Sequence, residues 1–151
     1  MTDIQFYHLL STSLERALPK LLEKAVAGQY RIVVKVASEE DEERLDTELW
    51  TYNPGSFLPH GTRRDGFEAE QPIYITANGE NPGGATLLVV TDGSPAPEGY
   101  ARVLDIFNGV DDAAVQAARG RWSQYKTEGH SLAYIKQTPA GGWEKVMESA
   151  A

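Results

Sequence analysis

Short apolar runs alternate with longer helical patterns along this chain. Residues Ile4–Leu10 and Arg31–Ala37 are short runs rich in aromatic or β-branched side chains, which predict buried strands. Between them, leucines recur at helical spacing, and Gly28 is a stop signal that predicts the end of a first helix. Pro19 lies inside this pattern, so the helix is expected to bend there or to start later.

The rest of the chain continues the alternation. Ser38 is an N-cap residue followed by acidic side chains, which predicts the start of a second helix. A third helix is predicted to begin at Asp111 or Asp112 and to run to about Glu128. Residues 51–71 are rich in proline and glycine and are expected to be irregular. Further strands are predicted at Ile73–Thr76, Thr86–Val90, Ala101–Phe107 and Leu132–Gln137.

This order of elements predicts an α/β fold. Strands separated by helices favour parallel pairing with right-handed crossovers, so we expect a three-layer Rossmann-like sandwich with a largely parallel sheet flanked by helices. Turns link the middle strands, which leaves a mixed sheet open. The 151 residues fit one domain, which we place at 1–137, and 138–151 are expected to form a partly ordered C-terminal tail.

Composition narrows the classes of function. The chain has no cysteine, which excludes disulfides, thiolate metal sites and cysteine nucleophiles. Its formal net charge of -8 opposes direct binding to nucleic acid, because that affinity comes mainly from lysine and arginine. No signal peptide and no membrane-spanning run is evident, so a cytoplasmic location without a membrane partner is expected.

Patterns that support catalysis are missing. The first strand-to-helix junction, Leu10–Ser13, contains no glycine to cradle a phosphate, and no nucleophile elbow is present. His8, His60 and His130 lack the spacing of metal ligands, and we interpret them as one half-buried strand histidine and two surface histidines. We therefore predict no catalytic residue, no metal and no cofactor, with a nucleotide-binding α/β enzyme as the alternative.

One basic and aromatic cluster contrasts with the acidic chain. Val115, Arg119, Trp122 and Lys126 are spaced four, three and four apart and share one stripe of the last helix, with Arg121 on the neighbouring stripe. Cations beside an indole can bind a carboxylate and offer an apolar shelf to a ring. The other interpretations are a core tryptophan with charges that stabilise the helix C-terminus, or a direct binder of single-stranded DNA.

Two motifs resemble one known family. Residues 44–50 (RLDTELW) followed by 56–60 (SFLPH) resemble the central signature of chi subunits of bacterial DNA polymerase III, R-L-D-x-x-L-W and then S-F-[VL]-P-H. Residues 119–126 (RGRWSQYK) are similar to the family's closing R-x-R-[YW]-x-x-Y-[KR] helix. The resemblance covers nearly the whole chain in the same order. Val115 is a departure, since the family often has a basic residue there.

The resemblance implies a non-catalytic accessory subunit in DNA replication. Chi subunits have a Rossmann-like fold without nucleotide chemistry, and the polymerase's nucleotidyl transfer takes place in another subunit. They bind the acidic C-terminal tail of single-stranded-DNA-binding protein, which ends in an aromatic residue with a free carboxylate. They also link that protein to the clamp-loader complex through the psi subunit or an equivalent. DNA is then contacted only indirectly.

The resemblance also suggests which residues bind each partner. For the tail it implies Trp50, Arg119 and Trp122, with Val115 at the helix start and Arg121 and Lys126 as rim charges. Trp50 and Trp122 would then frame one ring of the tail. For the psi subunit or its equivalent it implies Phe57, with Pro59 and His60 beside it.

Overall fold

The structure of the protein is a computed structural model that describes residues 2–51, 60–62 and 71–149. All three predicted helices and all predicted strands are present within these residues. In chain order the elements are β1 (Asp3–Leu9), α1 (Leu14–Ala27), β2 (Ile32–Lys35), α2 (Glu39–Thr51), β3 (His60–Thr62), β4 (Ile73–Thr76), β5 (Leu87–Val90), β6 (Arg102–Asn108), α3 (Asp112–Thr127), β7 (Ser131–Gln137) and β8 (Trp143–Ser149).

The described strands form one sheet in the order β3-β4-β2-β5-β6-β1-β7-β8. Neighbouring strands pair in parallel from β3 to β7, and β8 pairs antiparallel with β7. The predicted α/β class and largely parallel sheet are therefore confirmed, and the single antiparallel pair makes the described sheet mixed.

The helices cover both faces of this sheet. Ile32 and Val34 of β2 point into one core together with α1 and α2, whereas Val33 points into the opposite core with α3. This alternation is the expected period of a strand that is buried on both faces. The three-layer arrangement predicted from the sequence is confirmed. Among the described residues, no helix has the length and apolar character needed to cross a membrane.

Local sequence signals set the helix ends. The Asp111 side chain accepts a hydrogen bond from the Ala113 N–H at 3.0 Å, and Ser38 Oγ accepts one from the Asp41 N–H at 3.2 Å. These are N-cap interactions of the predicted kind. Pro19 is buried inside α1 and does not end the helix, which begins at Leu14 as its hydrophobic pattern indicates.

Strand β3 corrects the expectation that residues 51–71 are irregular. His60–Thr62 is buried and pairs in parallel with β4, with His60 opposite Ile73. The sequence His-Gly-Thr has little strand character of its own, so its conformation follows from pairing with a neighbour in the sheet. Phe57 and Pro59 lie outside the described residues.

The C-terminal segment extends the sheet. In Trp143–Ser149, Lys145 pairs with Ile135 and Met147 pairs with Tyr134, which leaves Val146 as the extra residue of a β-bulge. The sequence predicted only a partly ordered tail after residue 137. The strand was not predicted because its central residues are exposed and lack the apolar run of a buried strand.

Candidate functional site

Helix α3 carries the basic and aromatic cluster and packs over β6 and β7. Trp122 is half-buried on the core side of this helix, with its ring centroid 5.6 Å from that of Phe6 and 6.0 Å from that of Tyr134. Tyr125, one turn later, is buried and its hydroxyl accepts a hydrogen bond from the Ala96 N–H at 2.9 Å. Trp122 therefore belongs to the rim of the core and still presents part of its indole to solvent.

Arg119 stands exposed one turn before Trp122. Within the described part of the chain, it takes part in no ion pair. Burial and the positive charges of Lys136 and Arg119 lower the pKa of His8, which also shows that these groups lie near one another. Burial raises the pKa of Tyr134, and the charge of Arg119 acts against that rise. Arg119 therefore lies within electrostatic range of His8 on β1 and Tyr134 on β7, while its own side chain is exposed to solvent.

The buried His8 contacts the half-buried Tyr134 on the neighbouring strand. The Tyr134 hydroxyl hydrogen-bonds to Nδ1 of His8, across the parallel pair β1–β7. Lys136 lies opposite His8 in that pair and is exposed. The sequence analysis assigned no role to Tyr134 or Lys136. The alternation of β7, which places Leu132, Tyr134 and Lys136 on one face, is the signal that could have indicated them.

Arg121 is not a rim charge, which corrects one residue of the predicted site. Its Nε donates to Oδ2 of Asp105 at 2.6 Å and its Nη2 to Oδ1 at 2.9 Å. The side chains of Arg121 and Asp105 are only 12% and 2% exposed. Burial raises the pKa of Asp105, and the hydrogen bond from Arg121 opposes that rise. Side chains two positions apart on a helix point in nearly opposite directions, so Arg121 faces the sheet while Arg119 faces solvent.

Two further residues of the predicted site, Val115 and Lys126, lie on the same stripe of α3 as Arg119 and Trp122. Val115 is half-buried against the core between α3 and the sheet, and its side chain carries no charge. Lys126 is exposed one turn after Trp122, about 10 Å along the helix from Arg119. The structure therefore brings Arg119 and Trp122 together with Tyr134, His8 and Lys136.

Trp50 lies elsewhere, so the predicted framing of one ring by Trp50 and Trp122 is wrong. Helix α2 packs against β3 and β4 on the face opposite α3. Trp50 is 55% exposed there, and its ring centroid is 4.6 Å from that of His60. The crossover from β2 to β3 and the crossover from β6 to β7 run toward opposite edges of the sheet, and right-handed crossovers in opposite directions occupy opposite faces.

His60 is a buried residue, which corrects its assignment as a surface histidine. It is 5% exposed, and its Nε2 lies 3.2 Å from the main-chain carbonyl oxygen of Asp46. Its imidazole ring therefore packs against the ring of Trp50 and has little exposed surface with which to contact a partner directly. His130 is half-buried and its Nδ1 accepts the Thr2 N–H at 3.0 Å.

The position at which Rossmann-like domains bind nucleotides is occupied by a side chain of this protein. The N–H groups of Leu10, Ser11 and Thr12 all donate to Oε1 of Gln137, at 3.0, 2.9 and 3.1 Å. Converging N–H groups at such a turn form an anion cradle, and here the amide oxygen of Gln137 fills it. An open cavity of about 520 Å³ lies beside this turn, between Leu10, Phe107 and Val110.

These features define an α/β domain of Rossmann-like outline with a filled phosphate cradle and an exposed arginine–tryptophan surface on its last helix. Residues 1–133 match the family model described as DNA polymerase III chi subunit, HolC. The chain therefore belongs to the chi subunit family of DNA polymerase III. A chi subunit is an accessory component of the DNA polymerase III complex in DNA replication.

Two curated proteins are similar to this chain. It is 32% identical over 106 residues to the "Probable DNA polymerase III subunit chi" of Rickettsia prowazekii, a match that covers 70% of this chain and 62% of that protein. It is 29% identical over 139 residues to the "DNA polymerase III subunit chi" of Pseudomonas aeruginosa, which covers 87% of this chain and 94% of that protein. The match thus spans less than two thirds of the Rickettsia protein.

Proposed function

We propose that this chain binds the acidic C-terminal tail of single-stranded-DNA-binding protein and links it to the clamp-loader complex. We call the surface formed by Arg119, Trp122 and Tyr134 the tail site. The observation that carries the proposal is an exposed arginine without an ion pair in the described chain, one turn from a partly exposed indole. On a protein with a formal net charge of -8, this cation offers a local positive site to an acidic partner.

The chemistry of the tail site suits a chain end with an aromatic side chain. A guanidinium group can donate two parallel hydrogen bonds to a carboxylate. The rings of Trp122 and Tyr134 meet at 69°, so they form a corner against which a third ring can pack edge-on or face-on. Lys136 adds a second exposed cation beside the corner.

The proposed mechanism is recruitment. Several tails on protein-coated single-stranded DNA raise the effective concentration of the ligand, so a weak single contact suffices for stable attachment. Because Arg119 and Lys136 are exposed, added salt is expected to screen and weaken the contact.

The tail site is tested by titrating a fluorescent peptide that ends in Asp-Ile-Pro-Phe. Arg119→Ala is expected to weaken binding about 10-fold or more, because a hydrogen bond between charged groups contributes about 1.5–3 kcal/mol. Lys20→Ala is the control, since it removes an exposed cation from α1 on the opposite face of the sheet, and its effect is expected to stay below about twofold. No saturable binding by the unchanged protein, or equal losses in both variants, would contradict the proposal.

A second surface is proposed for the clamp-loader side. Trp50, exposed above His60, lies on the sheet face opposite the tail site, so both partners can bind at once. Large exposed aromatic residues often dominate protein interfaces.

Trp50→Ala is expected to weaken capture of the psi subunit at least about 10-fold while the affinity for the tail peptide stays unchanged. Surface plasmon resonance with each partner measures both, and a parallel loss of tail binding would refute the separation of the two surfaces.

Two other functions have less support. A nucleotide-binding enzyme would need an accessible phosphate cradle, and Gln137 fills the cradle of this fold. A direct binder of single-stranded DNA would need a basic surface with stacking aromatic residues, whereas Trp50 and Trp122 lie on opposite faces and Arg121 is paired with Asp105.

A further inference from the structure

The sheet face that carries the tail site continues beyond β7 onto β8. Helix α3 packs on β6 and β7, and past it Met147 of β8 stands 48% exposed. Met147 is the cross-strand partner of Tyr134, so its side chain lies on the same face as the ring of Tyr134. Strand β8 lies beyond residues 1–133, which match the family model.

The β-bulge determines which side chain stands there. From Trp143 to Lys145 the strand pairs regularly with Gln137 to Ile135, and continued regular pairing would place Val146 beside Tyr134. The extra residue shifts the register by one, so Met147 takes this position. Bulges at sheet edges often redirect a side chain next to a functional site. Methionine is also a flexible residue that adapts to varied apolar ligands.

The arrangement suits the next apolar side chain of the same ligand. In an extended peptide, side chains two positions apart lie on one face, about 6.6 Å apart along the chain. If the terminal ring occupies the corner of Trp122 and Tyr134, with its carboxylate at Arg119, the side chain two positions earlier can reach across Tyr134 to Met147. Lys136 and Glu144, which carry opposite charges, lie opposite each other beside this path.

We propose that Met147 is a specificity-determining residue of the tail site, which binds an apolar side chain two positions before the terminal aromatic residue of an acidic peptide. This inference rests on the proposed tail binding. The ligand class is therefore an acidic chain end with the pattern apolar, any residue, aromatic, free carboxylate. The apolar preference comes from Met147, and the requirement for a free carboxylate comes from Arg119.

A double-mutant cycle tests this inference by isothermal titration calorimetry. Peptides ending in Asp-Ile-Pro-Phe and Asp-Ala-Pro-Phe are titrated into the unchanged protein and into Met147→Ala. The expected result is a loss of about 3–5-fold on Met147→Ala for the isoleucine peptide and almost none for the alanine peptide, because only the first has the apolar area to bury. Val146→Ala, a neighbouring exposed apolar residue, is the matched control and is expected to change neither affinity.

The outcomes separate this inference from the function on which it rests. Equal effects of Met147→Ala on the two peptides, or no effect on either, would overturn the role of Met147. If binding still depended on Arg119 in that case, the proposed tail site itself would not be contradicted. Absence of saturable binding by the unchanged protein would overturn both. An equal loss for the isoleucine peptide in Val146→Ala would also overturn the assignment, because it would indicate a general effect of β8.

Discussion

Replacing Asp105 with alanine is expected to lower the free energy of unfolding by about 3–5 kcal/mol, because it leaves the largely buried Arg121 guanidinium without its counter-ion. Both side chains are nearly inaccessible, and two hydrogen bonds join them. A cation in such a position is poorly hydrated, so the cost exceeds that of losing a surface ion pair. Urea unfolding followed by far-ultraviolet circular dichroism measures the change.

Two further variants identify the cause of that loss. The double variant Asp105→Ala with Arg121→Met is expected to regain part of the stability, because removing both charges avoids the unpaired cation. Arg119→Met removes an exposed arginine from the same helix and is expected to change the free energy of unfolding by less than about 0.5 kcal/mol. If Asp105→Ala and Arg119→Met had equally small effects, the pair could not be an internal structural contact.

Gln137→Ala is expected to lower the free energy of unfolding by about 2–4 kcal/mol, since one substitution removes four hydrogen bonds, each worth about 0.5–1.5 kcal/mol. One amide oxygen accepts the N–H groups of Leu10, Ser11 and Thr12, and Gln137 Nε2 donates to Thr12 Oγ1 at 2.8 Å. Gln137 itself is 3% exposed, so shortening its side chain also removes buried packing. The same urea unfolding experiment measures this loss.

Gln137→Glu separates the acceptor from the bulk of the side chain. A carboxylate can still accept the three N–H groups and differs mainly in losing the donor to Thr12. It is expected to keep most of the stability at pH 7, and less when the pH falls low enough to protonate it. Equal destabilisation by alanine and glutamate would show that the converging N–H groups do not depend on residue 137 for an acceptor.

The fold was largely predictable because each helix and most strands carry their own pattern. Ser38 and Asp111 mark helix starts by their capping groups, and the apolar run Leu87–Val90 is a buried strand on its own. Strand β3 and strand β8 have no such local signal. Their conformations depend on hydrogen bonding to β4 and β7, which are distant partners that periodicity does not reveal.

The site was predictable only in part. Helical spacing places Arg119 and Trp122 on one stripe of α3, and the structure brings these two residues together. The same spacing says nothing about Asp105, which pairs with Arg121 from a neighbouring strand. The position of Trp50 depends on the order of strands in the sheet, which decides the face that each crossover helix covers.

The most direct test of the account is the nuclear magnetic resonance spectrum of the indole N–H groups of the three tryptophans during titration with the Asp-Ile-Pro-Phe peptide. Trp122 lies at the tail site, whereas Trp50 and Trp143 pack on the opposite face of the sheet. We predict that the Trp122 signal shifts saturably and that the other two stay in place. A shift of the Trp50 signal, or no shift of Trp122 at saturating peptide, would contradict binding of the tail at α3.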